Sequence, residues 1–182
     1  AKHDNPELDI AAYQEEIDRM ADELDRKVEK SASVQNKVAA IASYLFEDNG
    51  YHGSRSDYYN RSNSYLNEVI DDREGIPITL SILFMELADR LDAALKGLGI
   101  PGHFVLCYEE GGKRHIIDAF ERGKPLTTEE TNDIIRSYGG AGKISDYPPS
   151  EKRAIIQRMI YNLKGISIEE KDFGSALSYV DL

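Results

Sequence analysis

Gly99-Ile100-Pro101-Gly102-His103-Phe104-Val105-Leu106-Cys107-Tyr108-Glu109-Glu110-Gly111-Gly112-Lys113-Arg114-His115-Ile116-Ile117-Asp118 is the stretch on which the fold turns. Phe104 to Tyr108 reads as one strand and Lys113 to Asp118 as a second. The Gly-containing segment between them reads as a tight hairpin turn. A turn centred on Glu110 and Gly111 sets His103 directly opposite Asp118, with Cβ atoms about 5 Å apart. A carboxylate beside an imidazole fixes its tautomer and raises its basicity, which is the back half of a catalytic triad. The front half, a nucleophile, has to come from elsewhere in the chain.

Upstream lies Arg73-Glu74-Gly75-Ile76-Pro77-Ile78-Thr79-Leu80-Ser81. Pro77 suits the first turn of a helix, and the helix is expected to run to about Leu91. Ile78, Leu80, Ile82, Leu83, Phe84, Met85 and Leu87 make its first half apolar nearly all round, so it belongs at the centre of the domain. A strand is expected near Ala94 to Leu98, before the hairpin. On the N-terminal side, Ile10, Tyr13, Ile17, Met20 and Leu24 form one apolar stripe of a helix from about Leu8 to Lys27, with Asn5-Pro6 as its start signal. A second helix, Val34 to Asp48, is capped by Ser33 and stopped by Gly50. Residues 49–62 form a loop with Tyr51, Tyr58, Tyr59, Arg55 and Arg61, and a short helix covers Asn63 to about Asp71. Downstream, Thr127 and Glu130 make a capping box for a helix through about Ser137. Residues 138–149 are a Gly and Pro linker. Ser150 caps a helix through about Leu163, and a last helix covers roughly Glu170 to Val180.

The 182 residues carry a net charge of −11 and 30% charged residues. That is an ordinary soluble composition, and it disfavours nucleic acid or an anionic membrane as partner, because phosphate contacts need clustered Lys and Arg. A single cysteine excludes an internal disulfide framework and points to a reducing, cytoplasmic compartment. No apolar run has the length of a membrane span. The chain starts Ala-Lys and stops in what reads as an unfinished helical pair, so it reads as a fragment.

The order of central helix, histidine strand and aspartate strand resembles the transglutaminase-like core. The resemblance implies an α+β, papain-like fold with a central buried helix, a small antiparallel sheet and flanking N- and C-terminal helices. In that family a cysteine begins the central helix; an ungapped match sets it at Pro77, which offers no nucleophile. Asn63-Ser64-Tyr65-Leu66-Asn67, the Arg73–Ser81 run and Gly99-Ile100-Pro101-Gly102-His103-Phe104 are also similar to the bacterial proteins labelled invasion-regulator-B homologues, transglutaminase-like proteins with a tetratricopeptide-type tail. A similar module occurs in an F-box-only protein. Asp92-Ala93-Ala94 departs from that group, which more often has Gly-x-Pro there. The expected division is a transglutaminase-like domain over residues 1–138, a linker over 139–149 and the start of a helical tail over 150–182.

The candidate catalytic residues are therefore His103 and Asp118, with Thr79 or Ser81 as a replacement nucleophile near a helix start whose N–H groups could serve as an oxyanion site. Cys107 lies about 13 Å from His103 along its strand, at about 3.3 Å per residue, and reads as a small buried residue. Asn67, Arg73, Tyr58 and Tyr59 are candidate binding residues. The four histidines show no metal-ligand spacing, and no cofactor is expected. Gly97-x-Gly99-x-x-Gly102 has the form of a dinucleotide fingerprint but precedes a strand rather than a helix, so it is set aside. The leading expectation is a degenerate, non-catalytic module that binds a peptide or protein partner. The alternative is an amide hydrolase or acyltransferase that uses His103 and Asp118 with Thr79, Ser81 or an activated water.

Overall fold

The computed structural model describes residues 4–180. The helices are α1 (Ile10–Asp25), α2 (Val34–Ala42), α3 (Leu66–Asp72), α4 (Pro77–Arg90), α5 (Thr128–Ser137), α6 (Lys152–Glu169) and α7 (Phe173–Ser178). Two very short strands, β1 (His52–Gly53) and β2 (Glu74–Gly75), pair in parallel. Strands β3 (Lys96–Ile100), β4 (His103–Glu110), β5 (Lys113–Asp118) and β6 (Lys124–Leu126) form an antiparallel sheet in that order. This is the α+β architecture expected from the sequence.

Helix α4 is central. Leu80, Leu83, Phe84 and Leu87 pack with Leu106, Tyr108 and Ile117 of the sheet and with Ile17, Met20, Leu24, Val38 and Ile41 of α1 and α2. The other face of the sheet, Leu98, Ile100, Val105, Cys107 and Ile116, is covered by Ile135 of α5 and by Ile144. Side chains alternate between faces along a strand, so one strand serves two cores. Ile155 of α6 joins Ile76, Ile78 and Phe104 in a third cluster, so α6 packs directly against the foot of α4.

Several boundaries differ from the sequence expectation, for local reasons. The β4–β5 loop is Gly111–Gly112 rather than Glu110–Gly111, because Glu110 pairs with Lys113. Both glycines have positive φ, +60° and +73°, as a type I′ hairpin turn demands. The register therefore moves by two residues, and since the pleat repeats every two, no side chain changes face. Strand β3 begins at Lys96 rather than Ala94, and β6 follows a turn that the sequence reading did not place. Helix α1 is capped by Asp9, whose carboxylate accepts from Ala12 N, so Asn5-Pro6 is not the start. Ser33 does cap α2, but after Ala42 the helix continues as a wider π-helical segment, Ser43–Asp48. The Thr127–Glu130 capping box is formed as expected. Ser150 does not cap α6. Its backbone N–H donates to Gly97 O at 2.8 Å, and its Oγ accepts from Gly99 N at 3.1 Å, so it closes the open edge of β3.

Leu83 is fully buried whereas Ile156 is 56% exposed. Leu83→Ala is expected to lower the unfolding free energy by about 2–5 kcal/mol, and Ile156→Ala to change it by less than about 0.5 kcal/mol. Urea unfolding of both variants checks this; a Leu83→Ala cost below that of Ile156→Ala would show that α4 is not the centre of the core.

Candidate functional site

Strand β4 starts, and β5 ends, at the same end of the sheet. Pro101 and Gly102 connect β3 to β4, and Gly102 has φ +65°, in keeping with proline then glycine at the middle of a type II turn. His103 is the first residue after it. Asp118 closes β5 and opens the next turn: its Oδ1 accepts from Phe120 N at 2.9 Å and from Glu121 N at 3.3 Å. Its Oδ2 lies 2.7 Å from His103 Nε2. With the observed register Asp118 faces His103 diagonally rather than directly across, and the imidazole spans the offset. Asp118 is 2% and His103 11% exposed. A carboxylate held by two backbone N–H groups is anchored independently of the histidine, so it acts as a fixed acceptor. This favours the imidazole tautomer with hydrogen on Nε2 and leaves Nδ1 as the basic nitrogen. Among the described residues Nδ1 has no hydrogen-bond partner.

The pair opens on a cleft of about 780 Å³, walled by Pro77, His103, Tyr58, Tyr59, Phe120 and Tyr138 among others. Phe120 stands edge-on to His103, with centroids 6.3 Å apart, and edge-on to Tyr58 at 6.2 Å. Its ring fits because Gly53 has no side chain; a Cβ there would lie 2.5 Å from the ring. The little β1–β2 pair thus sets one wall. Tyr58 is edge-on to Tyr59, at 5.3 Å, and burial pushes its phenol pKa up, so it stays protonated at neutral pH. Acidic groups in the cleft are matched: Glu121 with Arg55 at 2.7 Å, Glu130 with Lys124 at 3.0 Å, and Asp133 with Arg136.

Of the candidate residues, His103, Asp118, Tyr58 and Tyr59 come together in this cleft. Thr79 and Ser81 do not line it. Thr79 Oγ1 is fully buried; it accepts from Ile76 N at 3.1 Å and donates to Asn63 O at 2.8 Å, closing the first turn of α4. Ser81 Oγ is buried without a hydrogen-bond partner among the described residues. Cys107 lies in the opposite core beside Ile116 and Ile135, and burial raises its thiol pKa, which keeps it protonated and unreactive. Asn67 lies at a separate groove with Tyr13 and Ile70. Arg73 ends α3 at φ +58° and donates to Asn49 O at 2.9 Å. The residues that sequence reasoning missed are Phe120, Tyr138 and Arg158. Phe120, two residues beyond Asp118, was the one within reach of local pattern; Arg158 reaches the site only through the packing of α6. Among the described residues no group of three or more His, Cys, Asp or Glu could hold a metal ion, and no helix is long and apolar enough to cross a membrane.

The sequence profile of the Transglutaminase-like superfamily matches residues 11–161. A UPF0162 protein of Xylella fastidiosa (strain 9a5c) is 33% identical over 173 residues, covering 91% of this chain and 61% of that protein. Human F-box only protein 21 is 32% identical over 146 residues, 75% of this chain and 23% of that protein. A UPF0162 protein of Vibrio cholerae is 24% identical over 183 residues, 98% of this chain and 67% of that protein. The chain thus spans about three fifths of its Xylella relative, and no solved structure matches it significantly.

The His103 tautomer is directly measurable. Nitrogen-15 NMR at neutral pH is expected to show the hydrogen on Nε2, and Asp118→Ala to lose that preference. The same variant strands the N–H groups of Phe120 and Glu121, which costs about 1–3 kcal/mol if they stay dry. A resonance pattern with the hydrogen on Nδ1 in the unmodified protein would overturn the assignment.

Proposed function

The chain belongs to the transglutaminase-like superfamily, and on that premise we propose that it is a member without the nucleophilic cysteine, which uses its cleft to bind a peptide or protein partner. The observation that carries this reading is Pro77. It occupies the first position of α4 and walls the cleft together with His103, where the family resemblance sets the cysteine. Proline has neither a nucleophilic side chain nor a backbone N–H. The hydroxyls nearest in sequence, Thr79 and Ser81, are buried away from the cleft, and Cys107 is in the other core. The aromatic wall of Tyr58, Tyr59, Phe120 and Tyr138 suits peptide side chains, since large rigid rings give contact area at little entropic cost. The likeness to F-box only protein 21 supports a protein-interaction role.

Within the superfamily we place the chain with the invasion-regulator-B group, in a cytoplasmic setting. The proposed division is a core over 1–138, a linker over 139–149 and the first helices of a tetratricopeptide-like tail over 150–182, with α6 serving both as tail helix and as support for the core.

A second reading rests on the intact His103–Asp118 pair. Nδ1, basic and free among the described residues, could activate a water for hydrolysis of an amide. The two readings separate in one experiment: purified protein and its His103→Ala variant are offered peptide amides and an amine acceptor. The binding reading expects no turnover that depends on His103; an activity that vanishes in His103→Ala would sink it and establish an amide hydrolase or, if the product carries the amine, an acyltransferase.

Position 77 is tested separately, in a Cys107→Ser background. Pro77→Cys places a thiol at the foot of α4. If this is the nucleophile position, iodoacetamide at pH 7 should alkylate it about tenfold faster than the same thiol in a Pro77→Cys, His103→Ala double variant, because a neighbouring imidazole promotes the thiolate. Equal rates would remove Pro77 as the equivalent of the family cysteine.

A further inference from the structure

Adjoining the main cleft, with Tyr58, Pro77, Gly102 and His103 common to both, is a recess of about 160 Å³ whose wall also includes Arg158 and Asn162. Arg158 stands out by its partners. Its Nη2 donates to the carbonyls of Ile100, at 3.1 Å, and of His103, at 2.8 Å, and its guanidinium lies over Phe104, 5.8 Å from the ring centre. Among the described residues no carboxylate comes within ion-pair distance of it. Glu121, Glu130, Asp133 and Asp118 each have a partner of their own. One nitrogen thus makes both bonds; Nη1 lies against Gly99, 3.0 Å from where a Cβ would stand, and among the described residues neither Nε nor Nη1 has an acceptor.

Burial lowers the pKa of Arg158, as expected of a desolvated cation lacking a counter-charge. The guanidinium remains charged at any physiological pH. Asn162 is one helical turn further along α6, walls the same recess and has no hydrogen bond recorded among the described residues. A guanidinium and a carboxamide one turn apart on α6, with Tyr58 in the same wall, can provide several donors to an anion.

We propose that Arg158 and Asn162 form a carboxylate subsite, which seats the C-terminal carboxylate of a peptide lying in the aromatic cleft. The proposal rests on the reading that this cleft takes a peptide. A monoanion is favoured over phosphate because the recess is small, offers one uncompensated positive charge and adjoins a wall rich in carboxylates. A terminal carboxylate is favoured over an Asp or Glu side chain because the recess is small and shares Tyr58, Pro77 and His103 with the cleft, so a peptide lying on the aromatic wall reaches it with its end. A chain end can stop there, with its preceding side chains on Tyr58, Tyr59 and Phe120.

The test uses the full chain and three small probes, followed by NMR of the His103 ring and the Arg158 Nε–H group. N-acetylalanine carries only a terminal carboxylate, N-acetylalaninamide carries none, and N-acetylglutamic acid amidated at its α-carboxyl carries only a side-chain carboxylate. N-acetylalanine should give saturable shifts with a Kd of about 1–10 mM, a range suited to a ligand of so few atoms, and the neutral amide should give none. Asn162→Ala, which removes no recorded bond, should weaken binding about three- to tenfold, and Arg158→Gln should abolish the His103 shift. No saturable shift with N-acetylalanine, an equal response to the neutral amide, or unchanged affinity in Asn162→Ala overturns the subsite. Binding of the amidated glutamate alone overturns its assignment to a chain terminus. A His103-dependent amidase activity, by contrast, would end the non-catalytic reading and leave the carboxylate subsite standing.

Discussion

Helix α4 has to be enclosed, and the rest of the structure follows from that. Its first half is apolar on nearly every face, so it cannot lie on a surface as an amphipathic helix would. The α1–α2 pair covers one side and β4 and β5 the other, through Leu24, Ile41, Leu106 and Ile117. Once the helix is surrounded, its N-terminus is held at the end of the sheet where β4 begins and β5 ends. The meeting of Pro77 with His103 in one cleft wall is thus a consequence of burying Leu80, Leu83, Phe84 and Leu87.

Asp118 is the second fixed point. Its carboxylate organises the turn to β6 through Phe120 N and Glu121 N while holding His103 Nε2. One buried side chain therefore sets the backbone that carries Phe120 and the orientation of the imidazole that Phe120 flanks. A structural role and a role in positioning His103 are not alternatives at this residue. The pair survives geometrically whether the site turns over substrate or only binds it, because the turn needs the carboxylate in either case.

Much of this was legible in the chain. The stripes of α1 and α2, the Thr127–Glu130 capping box, the all-round apolar face of α4 and the His103–Asp118 juxtaposition follow from local pattern. A turn at Glu110-Gly111, as local pattern suggests, puts the hairpin register two residues off. Gly111-Gly112 carried the signal for the true turn, since both positions need positive φ, and the error left His103 and Asp118 on one face only because the pleat repeats every two residues. Ser150 looked like a helix cap and instead closes the edge of β3; nothing local distinguishes the two uses of a serine hydroxyl. Thr79 and Ser81 were placed correctly on the helix, but their distance from the cleft depends on how α4 is rotated against its neighbours.

The sequence by itself determined the main helices, the order of central helix and hairpin, and the His103–Asp118 juxtaposition at the end of the sheet, because periodicity, caps and turns are set by residues within a few positions of each other. The tertiary structure alone decided which hydroxyls are sealed into the core, that Phe120 rests on Gly53, and that Arg158 of α6 reaches the carbonyls of Ile100 and His103. Those are contacts between residues some 55 to 67 positions apart. They exist because whole faces pack at near-solid density, and no local pattern encodes which distant side chain will fill a given space.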